Sequence, residues 1–179
     1  TLASDRAVAS LTFRAGATAP VSITGSTLTI IGSGITTEAG SGAHVINSAL
    51  RIAANQTWTV NSTNPLTING AVSDDLFGLG ITKAGTGTLA LKSAASSFSG
   101  PVVVNAGVLA VNAVANGGLP SSLGAAGAAS SNLVINNNAT LSYTGAGGST
   151  NKLFTIGAGG GTLDASGTGA IQFTGINAV

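Results

Sequence analysis

The sequence lacks cysteine and methionine altogether and carries very few charged side chains. Without cysteine the chain cannot form disulfides, and its one histidine cannot complete the four-ligand site that zinc usually needs. Charged residues make up only 6% of the 179 residues, and the net charge is +1. Nucleic-acid grooves and polybasic membrane patches depend on clustered Lys and Arg, so the composition argues against both kinds of surface.

Long apolar runs are also missing, and none approaches the roughly 18 residues of a transmembrane helix. The apolar residues make up 44% of the chain and are scattered along it. This fraction argues against disorder, because disordered chains combine high charge with low hydrophobicity. The first residues show no basic and apolar leader pattern. We therefore expect a folded chain that is either the remainder after signal removal or an internal segment of a longer protein.

Short alternating runs of apolar and β-branched residues recur along the whole chain, for example at 27–31, 66–68, 89–91 and 102–104. Turns rich in Gly, Ser and Asn separate them. A period of two predicts β-strands rather than helices. Because each run is too short for a stable sheet of its own, we expect successive units to stack in register.

The spacing of the leucines predicts the architecture. Leu89, Leu109, Leu133 and Leu153 follow one another at intervals of 20, 24 and 20 residues. This period predicts an all-β, single-stranded right-handed parallel β-helix (β-solenoid) of roughly 8–9 turns. We expect one domain over residues 1–179, with irregular loops near 73–79 and 116–131. An antiparallel sandwich is the alternative fold, but hairpin dipeptides such as Asn-Gly are few.

The stretch 80–111, GITKAGTGTLALKSAASSFSGPVVVNAGVLAV, resembles the autotransporter-associated β-strand repeat of bacterial surface-protein passengers. The matching positions are 81–91, 98–101 and 104–109, where Phe98 replaces the usual Tyr and Pro101 the second Gly. Residues 152–167 also resemble a recurrent part of such proteins. The resemblance implies a bacterial, exported, extracellular or cell-surface protein.

Candidate polar sites are weak. The only histidine, His44, has no Gly-x-Ser-x-Gly elbow to work with, so we interpret it as a turn residue in a polar corner. Asp74 and Asp75 are adjacent carboxylates that we interpret as part of a solvated loop. The Gly85-Thr86-Gly87 segment lacks the Gly-Lys-Ser/Thr ending of a phosphate loop.

The run Gly159-Gly160-Gly161-Thr162-Leu163-Asp164 is similar to a calcium-binding nonapeptide, but Thr162 replaces its last glycine and no tandem copy follows. The glycines of 157–161 likewise have no phosphate-loop ending. Trp58, Tyr143 and the five Phe are candidates for stacking on sugars, although most lie in alternating runs and are expected to face inward. We therefore predict no catalytic, cofactor-binding or metal site.

The sequence thus predicts a non-enzymatic structural protein that acts as a stalk, an adhesive passenger segment or a fibre subunit. A carbohydrate-active or carbohydrate-binding β-helix is the alternative, disfavoured because five acids are too few to converge on one site. Expected partners are further copies or neighbouring repeats stacked lengthwise, since the pattern at both ends, 1–3 and 171–179, shows no cap. A surface or matrix polysaccharide is a further possible partner.

Overall fold

The computed structural model describes residues 1–176 as a parallel β-solenoid. Residues 177–179, the end of the strand pattern expected over 171–179, lie outside the described part. Each strand pair among the described residues is parallel. Parallel neighbours need crossover connections instead of hairpins, so the predicted β-solenoid is confirmed and the antiparallel sandwich is wrong.

The larger sheet has nine strands. It contains β1 (Arg6–Phe13), β3 (Leu28–Thr37), β5 (Leu50–Ile52), β6 (Gln56–Val60), β8 (Val72–Ser73), β9 (Ile81–Ala84), β11 (Val102–Val104), β13 (Leu133–Ile135) and β16 (Thr155–Ile156). The long strand β3 turns a corner of the coil, because its first half pairs with β5 and its last residues pair with β6.

A second sheet of seven strands forms another face of the solenoid. Its strands are β2 (Ser22–Ile23), β4 (His44–Ile46), β7 (Leu66–Ile68), β10 (Thr88–Leu91), β12 (Val108–Val111), β14 (Ala139–Tyr143) and β17 (Gly161–Asp164). A two-stranded sheet of β15 (Ala146–Thr150) and β18 (Gly169–Phe173) completes the C-terminal coils. A 3-10 helix spans Ser130–Asn132. No helix of the described residues is long and apolar enough to cross a membrane.

The seven-stranded sheet counts about seven turns, fewer than the predicted 8–9. Leu89 pairs with Leu109 as expected, but Leu109 pairs with Leu141, which is 32 residues further along the chain. Leu133 instead pairs with Val102 in the larger sheet. The predicted period of 20 therefore combined leucines from two different sheets. It also missed that the turn between Leu109 and Leu141 is longer, because it contains an insertion.

The core of the solenoid consists of inward side chains stacked in register on successive coils. One ladder of the seven-stranded sheet contains Leu66, Leu89, Leu109 and Leu141, all at most 3% exposed. A neighbouring ladder contains Ile46, Ile68, Leu91, Val111 and Tyr143. Each fully buried aliphatic side chain contributes about 1.5–3 kcal/mol. The fold is thus stabilised by repeated burial and needs neither disulfides nor many ion pairs.

Two connections lie where irregular loops were expected. Residues 74–80 separate β8 from β9, and residues 112–129 precede the 3-10 helix and β13. The assignment of residues 1–179 to one domain stays a prediction.

Candidate functional site

The stretch 81–111 forms β9, β10, β11 and β12, which are two consecutive strands of each large sheet. Val102 pairs with Ile81, and Leu109 pairs with Leu89. Because these partners are 21 and 20 residues apart, the stretch contains two stacked rungs on each face. It is the part of the solenoid with the shortest coil.

Glycine is required at the corners of this stretch. Gly85 and Gly107 have φ of 76° and 65°, a region that most other residues avoid. A Cβ on Gly107 would lie only 2.5 Å from the carbonyl oxygen of Gly87 on the preceding coil. The short corners can therefore stack closely only without side chains.

Lys83 is the polar residue that the corners enclose. It is fully buried and lies in an inner ladder between Trp58 and Val104. Its Nζ donates hydrogen bonds to the carbonyl oxygens of Ala84 (2.9 Å), Gly85 (2.7 Å) and Ala106 (3.0 Å). Since Ala106 lies on the next coil, the ammonium group links two corners. Burial lowers the pKa of Lys83 to about 8.

Asparagine side chains link other corners along the axis. Asn69 Nδ2 donates to Asn47 Oδ1 at 2.7 Å, and Asn136 Nδ2 donates to Asn105 Oδ1 at 2.9 Å. Asn55 uses its side chain differently, because its Oδ1 accepts the Gly80 N–H at 2.8 Å. These contacts join neighbouring coils outside the apolar core.

The loop 74–79 is organised by Asp74, which is only 1% exposed. The interpretation of Asp74 as a solvated carboxylate is therefore wrong. Its oxygens accept the N–H groups of Leu76, Leu79 and Ser99 and the hydroxyl of Ser99, at 2.8–3.0 Å. Burial raises the pKa of Asp74, but these hydrogen bonds outweigh it and hold the pKa below its usual value.

The tip of this loop presents two apolar side chains to solvent. Leu76 is 81% exposed and Phe77 is 72% exposed. Asp75, Leu76 and Gly78 have positive φ, and Asp75 forms an ion pair with Arg51 at the surface. Most of the other aromatic side chains are buried as expected for core, and two, Phe154 and Phe173, are only half-buried. Phe77 is therefore an exposed aromatic residue, which the alternation of the strands did not distinguish from the buried aromatic residues.

We expect Asp74→Ala to lower the free energy of unfolding by about 3 kcal/mol, because it leaves buried N–H groups without an acceptor. Asp75→Asn is the matched control, since it removes only a surface ion pair and should cost less than about 1 kcal/mol. Because its folded pKa is lowered, the contribution of Asp74 is present above its unfolded pKa and is lost as pH falls. Urea unfolding at pH 7 and pH 3 measures both effects. Equal stability of the two variants at pH 7 would contradict this role for Asp74.

His44 lies in the core and not in a polar corner. It is fully buried, pairs with Leu66 and stacks on Phe13. Its Nδ1 accepts the N–H of Val21 at 3.1 Å. The interpretation of His44 as a turn residue is thus wrong, because its ring occupies a rung of the leucine ladder.

The other predicted candidates do not converge. Asp164 Oδ2 accepts the Ser142 hydroxyl at 2.8 Å, and Oδ1 contacts the Ser166 hydroxyl. Both hydrogen bonds lower the pKa of Asp164, and the one from Ser166 has the larger effect. The described residues contain no group of three or more metal-ligating side chains. The expected lack of catalytic, cofactor and metal sites stays a prediction.

Both ends of the solenoid expose inner side chains. Ile156 and Leu163 are 43% and 41% exposed, although their ladder neighbours one coil earlier, Ile135 and Leu141, are buried. An apolar hollow at the C-terminal end includes Ile171 and Phe173. The N-terminal end has a comparable hollow, lined by residues that include Leu2, Val8, Leu11 and Ile23. Each end thus presents the apolar ladder positions on which a further coil could stack.

Comparison with known proteins agrees with this geometry. The family model described as passenger-associated-transport-repeat matches residues 81–111. The chain is 42% identical over 142 residues to the adhesin BmaC autotransporter of Brucella suis biovar 1 (strain 1330). That alignment covers 78% of the chain, which spans only about 4% of the length of this relative. No solved structure matches the chain.

The family-model match coincides with the main stretch on which the resemblance rested. The matched residues 81–111 are the two short rungs joined by glycine corners and Lys83. The adhesin match supports the predicted location at the bacterial cell surface. Residues 81–111 therefore match the passenger-associated-transport-repeat model, and the predicted resemblance of the chain to autotransporter passenger proteins is confirmed.

Proposed function

We propose that this chain is a non-enzymatic structural segment of a bacterial surface adhesin, a β-solenoid whose coils stack lengthwise on further coils or copies. The observation that carries the proposal is the run of apolar ladders to both ends of the solenoid. At the C-terminal end Ile156 and Leu163 are exposed only because no coil follows them among the described residues. A further coil would bury them as it buries Ile135 and Leu141.

The carboxylates support a role without catalysis because each has its own structural partner. The five are Asp5 with Thr27 N–H, Glu38 with Arg14, Asp74 with its loop amides, Asp75 with Arg51, and Asp164 with two serine hydroxyls. Glycosidases need two carboxyl groups within about 10 Å across one substrate. Asp74 and Asp75 are neighbours, but Asp74 is buried among its loop amides and Asp75 pairs with Arg51, which favours the structural role over the carbohydrate-active alternative.

The loop 74–79 is the surface that we assign to adhesive contact. Its tip exposes Leu76 and Phe77, while Asp74 and the positive φ values fix the backbone beneath them. Aromatic and aliphatic anchors held in a rigid conformation lose little entropy on binding. A convex tip of this kind suits a partner with an apolar pocket.

Light scattering on the isolated 179 residues across a concentration series tests the stacking. We expect the mean mass to rise with concentration, because the open ends bury apolar area when copies stack. Ile156→Lys with Leu163→Lys should raise the concentration needed for association at least tenfold. Leu76→Ser with Phe77→Ser is the control and should leave the mass curve unchanged.

Two outcomes would overturn the stacking of separate copies and leave only stacking on further coils of a longer chain. One is a wild-type chain that stays strictly monomeric at high concentration. The other is association that the loop substitutions remove and the end substitutions leave intact, which would move self-association from the ends to the loop. Circular dichroism of all variants confirms that they remain folded.

A further inference from the structure

An inner ladder of the seven-stranded sheet contains the titratable ring of His44 at the position where the following coils contain leucine. His44 is the single histidine of the chain and pairs with Leu66, which in turn pairs with Leu89. Its ring stacks on Phe13 with the ring centroids 4.3 Å apart. Because the ring is fully buried, its protonation state is coupled to the packing of this coil.

The hydrogen bond to His44 fixes the position of its proton. Nδ1 accepts the N–H of Val21 at 3.1 Å and so carries no proton, which places the proton of the neutral ring on Nε2. Nε2 has no hydrogen-bond partner within the described residues, and the buried hydroxyls of Thr37 and Ser41 have none either. The Val21 contact is therefore the hydrogen bond that holds this ring.

We propose that His44 is an acid-sensitive latch that holds the segment 14–21, the corner between β1 and β2, against the second coil. Protonation takes a proton from solvent onto Nδ1, and Nδ1–H then faces the N–H of Val21 as a second donor. That hydrogen bond is lost, and a cation is left between Phe13 and the aliphatic ladder. The charged ring thus favours an opened corner in which it can reach water.

Among the described residues, the strands around His44 supply no anionic group to compensate the new charge. The strands β2, β3, β4 and β7 carry no other titratable side chain, and β1, which supplies Phe13, carries only Arg6, a cation. On the adjoining corners Arg14 Nη1 lies 3.1 Å from Glu38 Oε1 in an ion pair, and the two side chains are 79% and 35% exposed. Glu38 also accepts the N–H of Ala15. The carboxylate nearest in the chain is therefore committed to its own surface contacts.

The sign of the pH effect follows from burial. Desolvation lowers the pKa of His44 below its ordinary value of 6.5, so the folded state binds the proton more weakly than the unfolded state. The contribution of the neutral His44 ring to the free energy of unfolding is complete above about pH 6.5, and it decreases as the pH falls towards the folded pKa. In that window the unfolding constant of the coil increases up to about tenfold per pH unit.

Hydrogen exchange of the whole chain at pH 7.5 and pH 5.0, corrected for intrinsic rates, tests the latch. We expect peptides covering residues 14–21 to lose protection at pH 5.0, by up to about thirtyfold over the 1.5 pH units below 6.5, while peptides covering β12 keep theirs. His44→Gln keeps a side-chain acceptor without titrating and should show the same protection at both values. An acid effect of equal size in His44→Gln would overturn the proposal.

A second measurement needs no variant. The single imidazole gives one resolved NMR titration, and the latch requires a folded pKa below 6.5. An imidazole pKa at or above 6.5 in the folded chain, or titration without loss of protection at 14–21, would also overturn it.

Discussion

Leu89→Asp should leave the chain unfolded, whereas Thr67→Asp one coil earlier should leave it folded. Leu89 is fully buried, and the ladder neighbours Leu66 and Leu109 contact it from both sides. A carboxylate there would be an unpaired charge inside the ladder, and it would also remove about 1.5–3 kcal/mol of apolar burial. Thr67 pairs with Ala90 and is only half-buried, so an added carboxylate there can still reach water.

Circular dichroism and urea unfolding of the two variants measure this contrast. Leu109→Asp should behave like Leu89→Asp, and Leu89→Ala should retain the fold but lose roughly 2–5 kcal/mol. Thr67→Asp should lose no more than about 1 kcal/mol, the range of strand propensity. If Leu89→Asp melted within about a degree of the wild type, Leu89 would not belong to the core.

The strands and their stacking could be predicted from sequence because both depend on local alternation. The repeat pattern at 81–111 gave the pairing of Leu89 with Leu109 directly. Beyond this stretch the leucines carry no mark of the face to which they belong. Leu133 therefore looked like the next rung, although Leu141 occupies it after an insertion. Register across a variable loop depends on three-dimensional pairing, which spacing alone does not contain.

The polar residues were harder to place because burial of a polar group depends on its partners. Asp74 and Asp75 are neighbours of the same type. Asp74 is nevertheless buried and accepts four hydrogen bonds, whereas Asp75 is half exposed. His44 looked like a corner residue because it precedes the apolar pair Val45-Ile46. Its stacking on Phe13 joins residues that are far apart in the sequence.

Lys83 could have been found, since the resemblance already contained it. A lysine at an inward position of a strand contradicts the alternation, and such a residue calls for a compensating contact. The stacked corners supply three carbonyl oxygens for its ammonium group. The same need explains Lys152, also buried, whose Nζ contacts the carbonyl oxygen of Ala126.

Stability should increase between pH 8 and pH 10.5 because of Lys83. Burial lowers its folded pKa from 10.5 to about 8. Below pH 8 both states carry the proton, and the folded state bears the full cost of the buried charge. Between the two pKa values the folded state has released the proton while the unfolded state retains it. The free energy of unfolding then rises by about 1.4 kcal/mol per pH unit, or about 3 kcal/mol in total.

Urea unfolding from pH 7.5 to 10.5, followed by fluorescence of the single tryptophan, measures this rise. Trp58 is a suitable probe because it adjoins Lys83 in the same ladder. Lys83→Met should remove most of the increase, and the part that remains should come from Lys152, whose pKa burial also lowers. Lys92→Met is the control, because Lys92 extends from the surface to Thr144 and should keep the full increase. A wild-type slope in Lys83→Met would show that the ammonium group of Lys83 is not desolvated in the folded chain.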